Sequence, residues 1–180
     1  MALMPQLTLH PDSLCTAVTG IDVTAARPAP GLLKLRYVLR GVMSDVSLPP
    51  AAASARADEL WRHTCFEAFV GAPDRNEYFE FNLAPSMEWA AYRFEGHRAG
   101  MERADVGAPQ VEVQRAEDRF ELRALLDVRG LEGPWRVGLS AVVEEANAAL
   151  SYWALAHPPG RPDFHNADCF ALDLAGSRRP

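Results

Sequence analysis

Apolar residues recur at every second position through much of this 180-residue chain, which is the period of strands, and few stretches repeat at helical spacing. Alternating or short apolar runs bounded by turn residues cover 32–40 (LLKLRYVLR), 64–70, 77–83 (EYFEFNL), 89–94, 109–115, 119–127 (RFELRALLD), 135–144 (WRVGLSAVVE), 150–156 and 169–174. In 119–127, Phe120, Leu122, Ala124 and Leu126 fall on one side and Glu121, Arg123 and Asp127 on the other, the pattern of a sheet edge or an outer sheet. The segment GAPDRN between 70 and 77 suits a six-residue hairpin loop. With Val70 opposite Glu77, the register places Phe66 across from Phe81 and Ala68 across from Phe79 on a core face. The same register sets Glu67 against Glu80 and Cys65 against Asn82. The region 41–59, with its PP and an Ala-rich stretch, predicts a loop with a short helical turn before Leu60. Many short strands, 12 Gly and 14 Pro point to an all-β fold. The expected form is a two-sheet antiparallel β-sandwich, jelly-roll or immunoglobulin-like, built as one domain over 1–180 with its core at about 30–175.

Composition narrows the function classes. Hydrophobic content of 48% and charged content of 23% are those of a globular chain. A net charge of −6, with no Lys/Arg run longer than two residues, lacks the basic footprint that nucleic acid or an anionic membrane surface requires. The start, MALMPQLTLHPDSLC, has no basic leader followed by an apolar run, so a cytoplasmic location is expected. Cys15, Cys65 and Cys169 are odd in number and widely spaced, which predicts reduced thiols rather than a disulfide framework or a zinc knuckle.

Two stretches carry candidate chemistry. Read as one strand, LWRHTCFEAFV (60–70) places Leu60, Thr64, Phe66, Ala68 and Val70 on a core face. Trp61, His63, Cys65, Glu67 and Phe69 then share the other face. Two facing carboxylates, Glu67 and Glu80, repel across a strand pair, and Trp61, Phe69 and Tyr78 beside them are costly to leave in water. Such a face is expected to line a partly covered pocket in which at least one carboxyl titrates above a free glutamate, unless a cation or a donor such as His63 or Arg93 reverses the shift. The second stretch, LSYWALAHPPGRPDFHNADCFALDL (150–174), puts Ser151, Trp153, Leu155 and His157 on one strand face. A loop with Asp163, Phe164, His165 and Asn166 follows as a pocket rim.

The stretches LWRHTCFEAFV, YFEFNLAPSMEWAAYRF and SYWALAHPPGRPDFH, with the first strand LLKLRYVLRG, resemble the bacterial DOMON-like proteins, relatives of the family 9 carbohydrate-binding modules. The resemblance covers roughly residues 30–175 and implies a jelly-roll-like sandwich with a ligand site on one concave face. It implies that Trp61 takes the position of the first sugar-stacking aromatic, with Phe164 near the second, where the modules tend to have Trp. Glu67 matches the module's carboxylate, and Glu80 stands where a basic residue is expected in the sugar binders.

The expected function is non-catalytic binding of a sugar or sugar-like polar metabolite stacked on Trp61. The ligand-binding set is Trp61, His63, Glu67, Glu80, Asn82, Trp153, His157, Phe164 and His165, with no catalytic or metal-ligating residue and no cofactor. One alternative is a haem- or metal-binding DOMON-type protein, drawing on Met87 or Met101 with His63, His97 or His157, or on a divalent cation at the carboxylates. A carboxylate-pair glycosidase is the other, although directly opposed strand residues leave little room for a scissile bond.

Overall fold

The computed structural model describes residues 5–176. Its strands are β1 (Gln6–Leu9), β2 (Val18–Ala26), β3 (Leu32–Gly41), β4 (Cys65–Gly71), β5 (Tyr78–Leu83), β6 (Trp89–Phe94), β7 (Glu102–Arg103), β8 (Gln110–Arg115), β9 (Arg119–Asp127), β10 (Trp135–Glu144), β11 (Leu150–Ala154) and β12 (Leu172–Leu174). The only helical pieces among the described residues are three 3-10 turns, Met43–Asp45, Leu60–Arg62 and Ala167–Cys169.

Hydrogen bonding runs through all the strands as one curled antiparallel sheet, in the order β7-β6-β5-β4-β10-β11-β1-β2-β3-β9-β8, with β12 also on β10. Where two separate sheets are expected from the sequence, β1 joins the halves: Gln6 and Leu7 pair with β2, and Thr8 and Leu9 with β11. The halves face each other across one core. Tyr37 of β3 lies 5.2 Å from Phe66 of β4, Phe66 stacks on Phe120 of β9 at 5.7 Å, and the Tyr37 hydroxyl donates to the Glu67 carbonyl at 2.6 Å. Apolar alternation in β3, β9 and β10 supplies the rest of that core.

The two outward faces differ. On β2-β3-β9 the outer side is charged and self-paired, with Arg36 and Arg123 on Glu121 and Arg40 on Asp22. On β4-β5-β6-β10 it carries a second apolar cluster, which includes Phe69, Tyr78, Tyr92, Phe94, Phe164 and Phe170. β4 is therefore buried along its whole length, core on one side and cluster on the other.

Several expectations are corrected. The hairpin register is shifted by two: Phe66 opposes Leu83, Ala68 opposes Phe81 and Val70 opposes Phe79, because the chain stays extended through Gly71 and the strand pair starts at Gly71–Tyr78. A shift of two preserves which side chains share a face, but Glu67 now opposes Asn82, and Glu80 opposes Phe69. The stretch 60–64 is not strand: Glu59 takes a left-handed conformation (φ 60°) and feeds the 3-10 turn at Leu60–Arg62. The Ala-rich segment forms no helix; Arg56 within it bridges to Trp89. β9 is not an edge, since β3 and β8 flank it, and Glu121 is buried under its two arginines. The core also extends N-terminal to residue 30 through β1 and β2.

Candidate functional site

The outward face of β4-β5-β6-β10 is floored by cross-strand rows. Ser140, Glu67, Asn82 and Ala90 form one row, and Gly138, Phe69, Glu80 and Tyr92 form the next. Glu67 and Glu80 are thus diagonal neighbours, a relation in which Cα atoms lie about 7–8 Å apart.

The segment 155–171 covers part of this face. Phe164 packs on Tyr152 at 6.1 Å, His165 meets Phe69 at 5.1 Å and Phe94 at 5.0 Å, and Phe170 stacks on Phe69 at 5.8 Å. Gly138 permits that close approach: a Cβ there would come within 2.9 Å of the Phe170 ring. The segment is latched to the turn after β6 through Asp163, which accepts from His97 Nε2 at 2.7 Å and from Arg98 Nε and Nη2 at 3.1 and 2.9 Å. Burial would raise the Asp163 carboxyl, but these two partners outweigh it and hold it below its ordinary value.

Between segment and floor lies a cleft of about 530 Å³. Its walls are Trp61, Tyr92, Phe94, Met101, Val142, Tyr152, Pro162, Phe164 and His165, and its charged groups are Glu67, Glu80, Arg98 and Arg161. Trp61 remains 49% exposed because the 3-10 turn rotates it outward, while Glu67 and Glu80 at the base are only 3% and 5% exposed. Burial, then the charge of Glu80, pushes Glu67 well above the usual carboxylate range; burial lifts Glu80 to about 7 against the opposing pull of Asn82 and Arg98. Glu80 Oε1 accepts from Asn82 Nδ2 at 3.0 Å, and Oε2 lies 3.7 Å from His165 Nε2. Burial and the nearby Arg98 depress His165 to about 4, so it is neutral at pH 7.

Of the residues expected at the site, Trp61, Glu67, Glu80, Phe164 and His165 meet in this cleft, with over a hundred positions between Trp61 and Phe164. Asn82 lies beneath it, fully buried and bonded to Glu80. The others point elsewhere. His63 bonds Glu144 at 2.7 Å and lines a different, more polar depression of about 740 Å³ with Asp58 and Glu88. Trp153 is in the main core, its indole N–H donating to Ser151 at 3.0 Å. His157 bonds the Thr8 carbonyl at 2.7 Å and sits edge-on to His10, because β11 ends at Ala154 and the strand face does not continue to it. Arg93, the donor expected for the carboxylates, pairs with Glu77 and Glu102; the cation near them is Arg98. Tyr92, Phe94, Arg98, Tyr152 and Arg161 were not anticipated, and Met101, considered only as a haem ligand, lines the cleft wall. The alternation in WAAYRF could have pointed to Tyr92 and Phe94, whereas the arginines sit in loops with no periodic signal. Among the described residues no three His, Cys, Asp or Glu converge in a way that could hold a metal ion.

No protein-family model matches the chain, and no curated protein matches it. Two solved structures share its fold. One is a putative carbohydrate-binding protein from Bacteroides uniformis, with a TM-score of 0.70 and 16% identity over 96% of this chain and 84% of that one. The other is a family 9 carbohydrate-binding module from Caldicellulosiruptor kristjanssonii in complex with cellotriose, with a TM-score of 0.55 and 8% identity over 87% and 74%.

Proposed function

We propose that the chain is a non-catalytic, DOMON-like domain that binds a sugar or sugar-like polar metabolite, with the ring of the ligand against Trp61 and its hydroxyls toward Glu67 and Glu80. The observation that carries this reading is the meeting in one cleft of a half-exposed indole and two buried carboxylates. A pyranose has an apolar C–H face that suits an aromatic ring and a rim of hydroxyl donors that suits buried acceptors. The two fold neighbours add support, since one is described by carbohydrate binding and the other holds cellotriose. The diagonal register leaves more room between the carboxyls than direct opposition would. A glycosidase would also use a protonated acid beside an ionised carboxylate, so the release of reducing sugar in the titration below is what separates it from a binding site. The reading requires no cofactor, and we place the domain in the cytoplasm with Cys15, Cys65 and Cys169 as free thiols.

An NMR titration of the 15N-labelled protein with cellotriose and with glucose tests it. The expected result is saturable shifts at the Trp61 indole N–H and in 161–165, with no release of reducing sugar. Shifts confined to the His63–Glu144 depression, or none, would contradict it.

A further inference from the structure

Two buried polar atoms in the strand row beneath the cleft, Asn82 Oδ1 and Ser140 Oγ, have no hydrogen-bond partner among the described residues. Both belong to residues directly opposite Glu67, Asn82 on β5 and Ser140 on β10. An unpartnered buried amide oxygen is rare and costly. The Asn82 amide group is already oriented by its Nδ2 donating to Glu80 Oε1 at 3.0 Å. Side chains opposite each other across an antiparallel pair have Cβ atoms about 4.5–5.5 Å apart, within reach of a carboxyl-to-amide bond. Ser140 is near enough to act on the Glu67 carboxyl, yet its hydroxyl falls short of hydrogen-bond geometry. The group placed to supply the proton that Asn82 Oδ1 lacks is therefore Glu67 itself.

We propose that Glu67 is a neutral acid donating its proton to Asn82 Oδ1, that Asn82 relays to an ionised Glu80, and that the cleft floor is consequently a surface of hydrogen-bond acceptors. This rests on the sugar-binding reading and narrows the ligand class. The ligand is a ring that brings free hydroxyl donors, and O-alkylated counterparts are rejected because they leave buried acceptors unpaired.

The remaining bonds on the floor have the same sense. Arg98 N–H donates to the Tyr78 oxygen at 3.2 Å, so the single phenolic proton goes to His165 Nδ1 at 2.8 Å. Neutral His165 then carries its own proton on Nε2, 3.7 Å from Glu80 Oε2. Glu80 is approached by donors on both oxygens, as suits an anion, while Glu67 makes no ion pair among the described residues. The groups acting on Glu67 are Glu80 from β5, Arg98 from the turn after β6 with its guanidinium engaged by Asp163, and Ser140 from β10. From β3 and β4 come Tyr37 and Cys65, both kept neutral by burial, and Arg161 and His165 of the covering segment line the same cleft.

The test compares Glu67→Gln with Glu80→Gln and follows the Glu carboxyl 13C shifts of the unaltered protein against pH. Glutamine at 67 retains an N–H donor for Asn82 Oδ1, so Glu67→Gln should melt within about 2 °C of the parent below the ordinary carboxylate value of 4.5 and higher than the parent at pH 7. Glutamine at 80 has one acceptor where the carboxylate has two, so its N–H2 faces either the Asn82 N–H2 or the His165 N–H, and Glu80→Gln should melt lower. The Glu67 carboxyl should stay protonated through the ordinary range near 4.5. Because its folded value is raised, its contribution to stability is complete below that range and fades as pH rises through the folded value, and Glu67→Gln should abolish that fade. Cellotriose should bind at least ten-fold more tightly than its per-O-methylated derivative. A Glu67 carboxyl that titrates near 4.5 overturns the proposal. So does a Glu67→Gln variant less stable than Glu80→Gln, which would put the proton on Glu80 with the amide reversed. Equal binding of both oligosaccharides overturns the acceptor surface while leaving sugar binding intact. Binding of neither removes the sugar reading, and the carboxyl titration still decides where the proton lies.

Discussion

Replacing Phe81 with alanine probes the packing directly behind the cleft. Phe81 is fully buried in the middle of β5, and its two sheet neighbours are Ala68 on β4 and Ala91 on β6. One ring thus fills the space above two small residues, and neither flank can swing in to replace it. Removing it forfeits about 1.5–3 kcal/mol of transfer free energy and leaves a cavity besides, so the loss should fall in the upper part of the ~3–5 kcal/mol range for such truncations. Urea denaturation followed by circular dichroism would read this as a midpoint lowered by about 2 M at unchanged slope, for a slope of ~2 kcal/mol/M. A companion change sharpens the test by a reversal of sign. Ala68→Ile should destabilise the parent by ~1–3 kcal/mol through overpacking, yet stabilise the Phe81→Ala variant by filling its cavity. A loss below ~2 kcal/mol, or an Ala68→Ile change that destabilises both backgrounds, would refute the packing and with it the observed register.

Two further outcomes follow from side chains that hold loops. Glu145 Oε1 accepts from Thr16 N, Thr16 Oγ1 and Ala17 N at 3.0, 2.8 and 2.8 Å, and the Thr16 hydroxyl contributes most to holding its carboxyl below the ordinary value. Glu145→Gln should therefore cost ~1–2 kcal/mol at pH 7, and calorimetry from pH 7 to 3 should show the parent losing that advantage as pH falls below about 4.5. Asp163→Ala releases His97 and Arg98, which are more than half exposed, so it should cost only ~1 kcal/mol of stability. The same variant should weaken cellotriose binding about 5–10-fold and speed hydrogen exchange in 95–101 and 160–166; unchanged exchange there would mean that Asp163 is not a latch.

Side-chain parity was legible from the sequence, because a period of two is read directly from alternation and survives a register slip of two. That is why Glu67, Glu80 and Phe69 were assigned to the far face correctly while their partners were not. Register depends on where the turn begins, and Gly71 extends the strand although glycine usually marks its end. β1 and β2 escaped notice because QLTL is short and VTGIDVTAA is interrupted by Gly20 and small residues. That Trp61 and Phe164 meet came from the resemblance, since no local pattern says that residues so far apart share a pocket. Trp153 and His157 misled because a strand assumed to reach 156 ends at Ala154, and the Trp153 side of β11 faces the main core. Arg98 and Arg161 are placed by loop geometry alone, which composition does not encode.

The central claim, a sugar lying against Trp61, has a built-in reporter. The chain has four tryptophans, and Trp89, Trp135 and Trp153 are buried at 6%, 0% and 5% exposure while Trp61 is 49% exposed. Acrylamide quenching of the intrinsic fluorescence therefore reports mainly on Trp61, and the most direct measurement follows that quenching during a cellotriose titration. The account predicts a saturable loss of quenching with a blue shift in emission, and no saturable binding by calorimetry in Trp61→Ala. Calorimetric binding that leaves the quenching unchanged and is equally tight in Trp61→Ala would contradict it, as would the absence of any saturable signal up to ~10 mM sugar.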